Sequence, residues 1–271
     1  MDLLFKRKIQ SYIQLYFPPI LKELIYNFYD YNLKSKPYLE TEVLKCLCPY
    51  SKVALDIGSN NGQLIPFMMR RATQIIAFEP LPNLAKGLRT NFPSQSVIVH
   101  QCALSDREVM VDLRIPLLDG KELVGLSSIE TSNTLSDLST KIIKAECKTL
   151  DSFNLENVGF IKIDVEGHEL AVLRGAEKTI ASSQPNFLIE VEERHREGAI
   201  ESIKQFFYVR DYKGFFICDN KLLPLERFNI VEHQNPKNVE IYKKVPGAIY
   251  INDLIFIPTD KIAKNFSKYL S

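Results

Sequence analysis

Chemistry-bearing side chains in this 271-residue chain concentrate where apolar runs give way to polar residues. In Val53-Ala-Leu-Asp56-Ile-Gly58-Ser59-Asn60-Asn-Gly62 a hydrophobic strand runs into a glycine turn, and a helix is predicted from about Gln63. Glycines at such a turn permit a tight reversal and let a ligand reach bare backbone at a helix N-terminus. A pyrophosphate-binding turn reads Gly-x-Gly-x-x-Gly, whereas here the first two glycines are four apart and the Asp56 carboxylate stands at the strand end. That acid would repel phosphate. It suits a ligand with cationic groups, such as the ammonium and sulfonium of S-adenosyl-L-methionine.

Twenty-three residues beyond Asp56, a second apolar run ends in Ala77-Phe78-Glu79-Pro80. Doubly wound folds hold a ribose diol through a carboxylate at this place, so Glu79 is the candidate ribose ligand, with Pro80 beside it. The plainer role for Glu79 is a favourable charge at the next helix N-terminus. A third run ends in His100-Gln-Cys102-Ala103-Leu-Ser105-Asp106, a polar turn that either borders an adenine ring through Ala103 or is simply a turn.

The densest cluster is Phe160-Ile-Lys162-Ile-Asp164-Val-Glu166-Gly167-His168-Glu169. Period-two alternation sends Lys162 and Asp164 to one face of a strand and Ile161, Ile163 and Val165 to the other. A lysine and an aspartate inside an apolar strand need each other, or a ligand, to be tolerated. Glu166 and Glu169 fit the first turn of the following helix as favourable charges, and His168 is either a general base or a surface residue. A fifth run ends in Glu190-Val-Glu192-Glu193-Arg194-His195-Arg196, where Glu190 is the stronger site candidate and His195 the weaker. Carboxylates of this kind are the donors that hard cations prefer, but no metal site is assigned.

These residues require a frame that gathers strand ends. Short apolar runs at Val53–Ile57, Ile75–Phe78, Val97–Gln101, Phe160–Val165 and Phe187–Val191 alternate with helix-length amphipathic stretches, which predicts a mostly parallel sheet covered by helices. Val109–Ile115 and Cys147–Thr149 read as two shorter strands around a polar stretch, Ser127 to Thr140, with one weak helix, lying over the top of the sheet. From Ser202 to Ile257 the aromatic runs Phe206–Val209, Phe215–Cys218 and Leu254–Ile257 predict a terminal antiparallel hairpin. Residues 1–45 read as an amphipathic helical extension broken at Pro18-Pro19, and 46–271 as the main domain. The aromatic face of the extension (Tyr12, Tyr16, Phe17, Tyr26, Phe28, Tyr29) packs on the domain, meets a second copy or lies on a membrane surface.

A content of 45% hydrophobic and 25% charged residues excludes disorder, collagen and coiled coil. The net charge of +1 supplies no field toward nucleic acid, and no nucleic-acid partner is expected. Five cysteines lack zinc-knuckle spacing and read as reduced thiols of a cytoplasmic protein. No stretch of the N-terminal segment reaches the length of a membrane span.

The ordered set Leu55-Asp56-Ile-Gly58-Ser-Asn60-Asn-Gly62, Ala77-Phe78-Glu79-Pro80, Gly125-Leu-Ser127-Ser128, Thr149-Leu150-Asp151, Ile161-Lys162-Ile-Asp164-Val-Glu166-Gly167-His168-Glu169 and Leu173-Arg174-Gly175-Ala176 resembles the FkbM-type S-adenosylmethionine-dependent methyltransferases. The resemblance covers roughly residues 50–195, with Asp253–Pro258 similar to the family's final strand. It implies a Rossmann-like sheet of seven strands, the last antiparallel, with helices on both faces. It also implies methyl transfer from S-adenosyl-L-methionine to a hydroxyl of a sugar, in a glycan or glycolipid, or of a secondary metabolite. In this assignment Asp56, Gly58, Ser59, Asn60, Gly62, Glu79, Pro80, Ala103 and Asp164 bind the cofactor. Asp164, Glu166, His168 and Lys162 serve catalysis, while Ser127, Ser128, Glu190 and His195 meet the acceptor. The alternatives are a nicotinamide or nucleotide-sugar enzyme, which the missing Gly-x-Gly disfavours, and a non-catalytic scaffold acting through the N-terminal segment.

Overall fold

The computed structural model describes residues 39–130, 139–240, 243–244 and 248–269. The strands in chain order are β1 (Val53–Ile57), β2 (Gln74–Phe78), β3 (Val97–His100), β4 (Ala103–Leu104), β5 (Val109–Leu118), β6 (Lys121–Glu122), β7 (Thr140–Lys148), β8 (Val158–Ile163), β9 (Asn186–Glu190), β10 (Tyr212–Cys218), β11 (Lys221–Pro224), β12 (Val239–Glu240), β13 (Lys243–Lys244) and β14 (Asp253–Pro258). The helices used below are α1 (Leu39–Leu47), α2 (Ile65–Met68), α3 (Pro82–Asn91), α4 (Glu169–Arg174), α5 (Glu177–Ser183) and α6 (Ala199–Tyr208).

The main sheet has eight strands in the order β11-β10-β14-β9-β8-β1-β2-β3. Pairing is parallel from β9 through β8, β1 and β2 to β3, while β14 runs antiparallel to both β9 and β10. The expected mostly parallel sheet with an antiparallel last strand is therefore present, with one strand more than seven. That strand, β11, folds back on β10 through Asp219-Asn220, both at positive φ (48° and 58°), as a two-residue hairpin turn requires.

Strand residues alternate between two cores. Leu55, Ile57, Phe78, Ile161, Ile163 and Phe187 face α4, α5 and α6, whereas Ala54, Ile75, Ala77 and Phe160 face Val43 and Leu47 of α1, Ile65 and Met68 of α2 and Leu88 of α3. Strands covered on both sides lack polar alternation, which is why their sequences are nearly all Ile, Val, Phe and Ala. Helix α1 runs through position 45, so the chain on either side of the expected domain boundary shares one helix and one core. The remainder of the N-terminal extension, with its aromatic face, lies outside the described residues.

Three local expectations change. Phe206 and Phe207, read as strand, belong to α6, where Ala199, Ile200, Ile203, Phe206 and Phe207 are buried at helical spacing. Aromatic content favours a strand locally, but the helical spacing of the buried side chains prevails. The helix expected from Gln63 is the single turn α2, which starts only where Pro66 fits the first helical turn. The two short insert strands are a long antiparallel pair, β5 and β7, in register from Val109↔Cys147 to Pro116↔Thr140. Leu113, Ile115 and Ala145 of this pair form a small core with Leu81, which fixes the insert beside the carboxyl end of β2. Most of the polar stretch after Ser127, including its weak helix, lies outside the described residues. Among the described residues, no helix is long and apolar enough to cross a membrane.

The Phe207 ring stacks on Phe256 at 4.2 Å and meets the edge of Phe187 at 4.8 Å. Truncation Phe207→Ala is expected to cost about 3–5 kcal/mol in urea unfolding, while Val209→Ala, two residues on but exposed, changes stability by less than about 0.5 kcal/mol.

Candidate active site

The carboxyl ends of β1 and β8 are joined by one cation. Lys162 is the cross-strand neighbour of Asp56, and its Nζ lies 3.9 Å from Asp56 Oδ1, 2.9 Å from Asp164 Oδ2 and 3.4 Å from the Gly58 carbonyl oxygen. Burial acts to neutralise this lysine, but Asp164 and Asp56 more than offset that and raise its pKa. Asp56 is 1% exposed; burial pushes its carboxyl up, Lys162 acts in the other direction, and Oδ1 accepts no hydrogen bond.

Gly58, at φ +74°, has no room for a side chain: a Cβ would stand 1.8 Å from the Asp164 carbonyl oxygen. At Gly62 (φ +76°) a Cβ would meet Leu88 and Phe92 at 2.7 Å. The absent side chains thus make space for neighbouring protein, where the sequence reading reserved it for a ligand. Backbone N–H groups of Gly58 and Ser59 both donate to the Phe78 carbonyl, at 3.0 and 3.1 Å, binding the turn to β2. Glu79 follows Phe78 and is 4% exposed; its Oε2 accepts from the Asn60 N–H and its Oε1 from the Leu81 N–H, both at 2.8 Å. Burial nevertheless raises its pKa to about 7. Glu79 therefore ties the glycine turn to the start of α3 while facing the cleft described below.

The loop after β8 turns sharply, with Glu166 at φ +55° and Gly167 at +101°. Glu169 caps it by accepting the Gly167 N–H at 2.8 Å, and burial raises its carboxyl to about 7. The Glu166 carboxylate faces away from solvent toward His195, whose Nε2 lies 2.9 Å from Glu166 Oε2 and 3.6 Å from Glu192 Oε1 as close charge contacts. Burial works against the imidazolium, but the two carboxylates prevail and raise the His195 pKa to about 9. Glu192 also receives Arg194 and the Tyr250 hydroxyl; its pKa falls to about 2 because these donors and His195 outweigh burial. Both ring nitrogens of His168 are engaged, Nδ1 with Glu130 Oε1 at 2.6 Å and Nε2 with Ser105 Oγ at 2.8 Å. The insert is fastened here a second time, by Ser128 Oγ donating to the Glu166 carbonyl at 2.7 Å.

These loops enclose an open cleft of about 610 Å³, measured out to solvent, along the carboxyl ends of β1, β2 and β8. Of the residues the sequence singled out, Gly58, Asn60, Glu79, Pro80, Ala103, Ser127, Asp164, Glu166 and His168 line it. Asp56, Ser59, Gly62, Lys162, Ser128, Glu190 and His195 stand outside the lining. Glu130, Ser105, Leu113, Val124 and Ile129 were not assigned to a site by the sequence, yet the first two hold His168 and the others line the cleft. Ser105 sits in a turn the sequence did mark; the insert residues carry no signal without the β5–β7 pairing that brings them over β2. Among the described residues, no group of three or more His, Cys, Asp or Glu side chains is arranged to hold a metal ion.

A family model described as the methyltransferase FkbM domain matches residues 56–215. The chain belongs to the FkbM methyltransferase family. This FkbM chain is 27% identical over 163 residues to "Methyltransferase 1" of Beauveria bassiana and 31% identical over 146 residues to "2-O-methyltransferase NoeI" of Sinorhizobium fredii. Those matches cover 53% and 49% of the chain, and 66% and 60% of the relatives, under two thirds of either. Among solved structures, methyltransferase FkbM from Methylobacillus flagellatus KT aligns with a TM-score of 0.47 at 17% identity, covering 82% of this chain and 48% of that one. SMU.1697c from Streptococcus mutans, solved with SAH, aligns with a TM-score of 0.43 at 10% identity, covering 82% and 98%.

The buried His195 ion pair makes stability depend on pH. Its folded pKa of about 9 lies above the ordinary value near 6.5, so its contribution is full below about pH 6.5 and is lost as pH rises through 9. Urea unfolding is expected to show a loss of about 3 kcal/mol between pH 6.5 and 9.5 that is missing from His195→Gln. An equal loss in both proteins would contradict the pairing.

Proposed function

We propose that this methyltransferase moves the methyl group of S-adenosylmethionine to a hydroxyl oxygen of a sugar or a secondary metabolite. The observation that carries the reading is the pairing, on one cleft, of a buried strand-end carboxylate, Glu79, with a second and partly exposed one, Asp164. The residues suit the donor. Each Glu79 oxygen holds one backbone N–H and keeps a second acceptor site for a ribose hydroxyl. Ala103 and Leu104 offer an apolar border for the adenine, and Gly58 and Asn60 place the β1 turn beside it. The similarity to NoeI, a 2-O-methyltransferase, supports oxygen as the receiving atom.

The donor supplies an electrophilic methyl on a sulfonium, so the carbon–sulfur bond breaks onto sulfur, a carbon–oxygen bond forms, and the hydroxyl proton must leave. The chain's task is to align the hydroxyl and take that proton. Three cleft side chains compete for it. Glu166 is turned to His195, and His168 has both nitrogens occupied. Asp164 is bound by Lys162 through Oδ2 alone and is 26% exposed, which leaves Oδ1 to meet the acceptor hydroxyl. Asp164 is therefore the group assigned to the reacting oxygen, with Lys162 holding it in place.

Calorimetric titration with S-adenosylmethionine and S-adenosylhomocysteine is expected to show binding, with NAD giving none. Glu79→Gln should weaken both by at least about tenfold, the worth of a charge-assisted hydrogen bond. A folded protein that binds neither ligand would overturn the reading. Asp164→Asn is expected to keep donor affinity within a few-fold while lowering turnover by about 100-fold or more; full turnover in that variant would return the role to Glu166 or His168.

A further inference from the structure

Four neighbouring strands, β1, β8, β9 and β14, bring acids into one row at the cleft end of the sheet. Asp56 is the registered neighbour of Lys162, and Asp164 and Glu190 each follow the last registered pair of β8 and β9, Ile163↔Ile189. Glu190 is in turn the registered neighbour of Asp253, the exposed first residue of β14. Period two puts Asp56, Lys162, Asp164, Glu190 and Asp253 on one face, the face on which Ala54, Leu188 and Ile255 join the core under α1 and α2. The lysine of this row is held by two of its acids, at 2.9 Å from Asp164 and 3.9 Å from Asp56. Acids of the adjoining loop have cations of their own, His195 for Glu166, and His195 with Arg194 for Glu192. Among the described residues no ion pair includes Glu190, whose Oε1 accepts from the neutral amide of Asn252.

Like charges at neighbouring strand positions repel, and Glu190, more enclosed than Asp253, is the acid that keeps its proton. Burial first, then Asp164, Asp253 and Glu166, raise its pKa to about 10, with Lys162 acting in the other direction. Tyr250 and Glu192 complete the titratable groups near it, and the Tyr250 hydroxyl is bonded to Glu192. Because neighbouring negative charge helps to hold this proton, a positive charge arriving beside Asp164 loosens it. S-adenosylmethionine carries such a charge on sulfur, and S-adenosylhomocysteine does not. Transfer to a hydroxyl removes that charge: the carbon–sulfur bond breaks onto sulfur, the carbon–oxygen bond forms, and one proton leaves the oxygen.

We infer that Glu190 is the proton store of the reaction, ionised while a sulfonium donor occupies the cleft and neutral again once the hydroxyl's proton has passed to it through Asp164. A positive sulfur with a carboxylate becomes a neutral sulfide with a carboxylic acid, so the net charge around the row is the same before and after the step. Glu190 touches no ligand in this scheme and acts through Asp164. The inference rests on the methyl-transfer reading above.

The test needs no acceptor. The full chain is titrated calorimetrically with S-adenosylmethionine and, separately, with S-adenosylhomocysteine, in buffers of different ionisation enthalpy, which counts the protons exchanged on binding. One unit charge within about 6–8 Å, at an effective dielectric near 20, changes an ionisation constant by roughly 30- to 100-fold. At about pH 8.5 the sulfonium ligand is therefore expected to release about half a proton more than the sulfide. Glu190→Gln keeps the shape, the neutral charge and the acceptor for Asn252 but holds no such proton, so the excess should vanish there; this comparison also cancels the ligands' own amino groups and Glu79. Asp253→Asn, at an exposed position, removes one charge that holds the proton and should move the pH of greatest excess downward, a readout that stands even where Glu190→Gln does not fold. Equal proton exchange for the two ligands, an excess that survives Glu190→Gln, or an unmoved maximum in Asp253→Asn would overturn the inference and leave the donor reading standing. A folded protein that binds neither ligand would overturn both.

Discussion

A lysine buried at the carboxyl end of a parallel sheet is the constraint from which the site follows. An ammonium cannot stay charged there without acids beside it, and an acid such as Asp56, at 1% exposure, cannot stay charged without the ammonium. Lys162 stands within reach of both acids, while burial still outweighs it at Asp56 and leaves that carboxyl raised, and its third contact, with the Gly58 carbonyl, fixes the turn that leaves β1. Two adjacent strands are thereby locked in register by charge as well as by their backbone ladder. Removing one partner from such a group strands the others, which makes it weak as a source of net stability and strong as a means of fixing one geometry. Asp164, at the exposed edge of the group, inherits that fixed position.

Close backbone approach does the rest. Because Gly58 lacks a side chain, the Asp164 carbonyl can sit where a Cβ would be, and the β1 turn and the β8 loop come together as one surface. Gly175 plays the matching part behind the cleft: a Cβ there would fall 1.9 Å from the carbonyl oxygen of Ser105, the residue that holds His168 Nε2. Glycine thus serves the site by allowing protein to pack against protein, which brings the polar groups of two loops to one cleft.

Local chemistry made much of this legible. Apolar runs buried on both faces marked the parallel strands, and a lysine alternating with an aspartate inside one of them announced a pair, which Lys162 and Asp164 form at 2.9 Å. Direction was harder. Period two says which residues share a face but not whether an acid at a strand end looks into the cleft or back into the sheet. Asp56 and Glu79 end adjacent strands with similar sequences, yet the first is enclosed with Lys162 and the second borders the cleft. Glu166 and His168 were legible as acids and bases near a reacting centre. Their partners were not, because Glu130 and His195 are brought to them by the insert and by the loop after β9, and no local pattern encodes contacts across 38 or 29 residues.

The insert unites the two halves of the problem. Ser127 and Ile129 face the cleft, while Ser128 and Glu130, alternating with them, reach back to the Glu166 carbonyl and His168. Extended backbone sends successive side chains to opposite sides, so one short segment lines the cleft with one set and fastens itself to the loop after β8 with the other. This wall of the cleft is consequently not an independent appendage. A change in the segment that reshapes the wall also strains the fastening of Glu166 and His168, so cleft shape and loop geometry vary together unless substitutions stay on the cleft-facing positions. Ser127 and Ile129 are those positions, with Val124 also on the cleft, and a side chain changed there meets the least resistance from the fold.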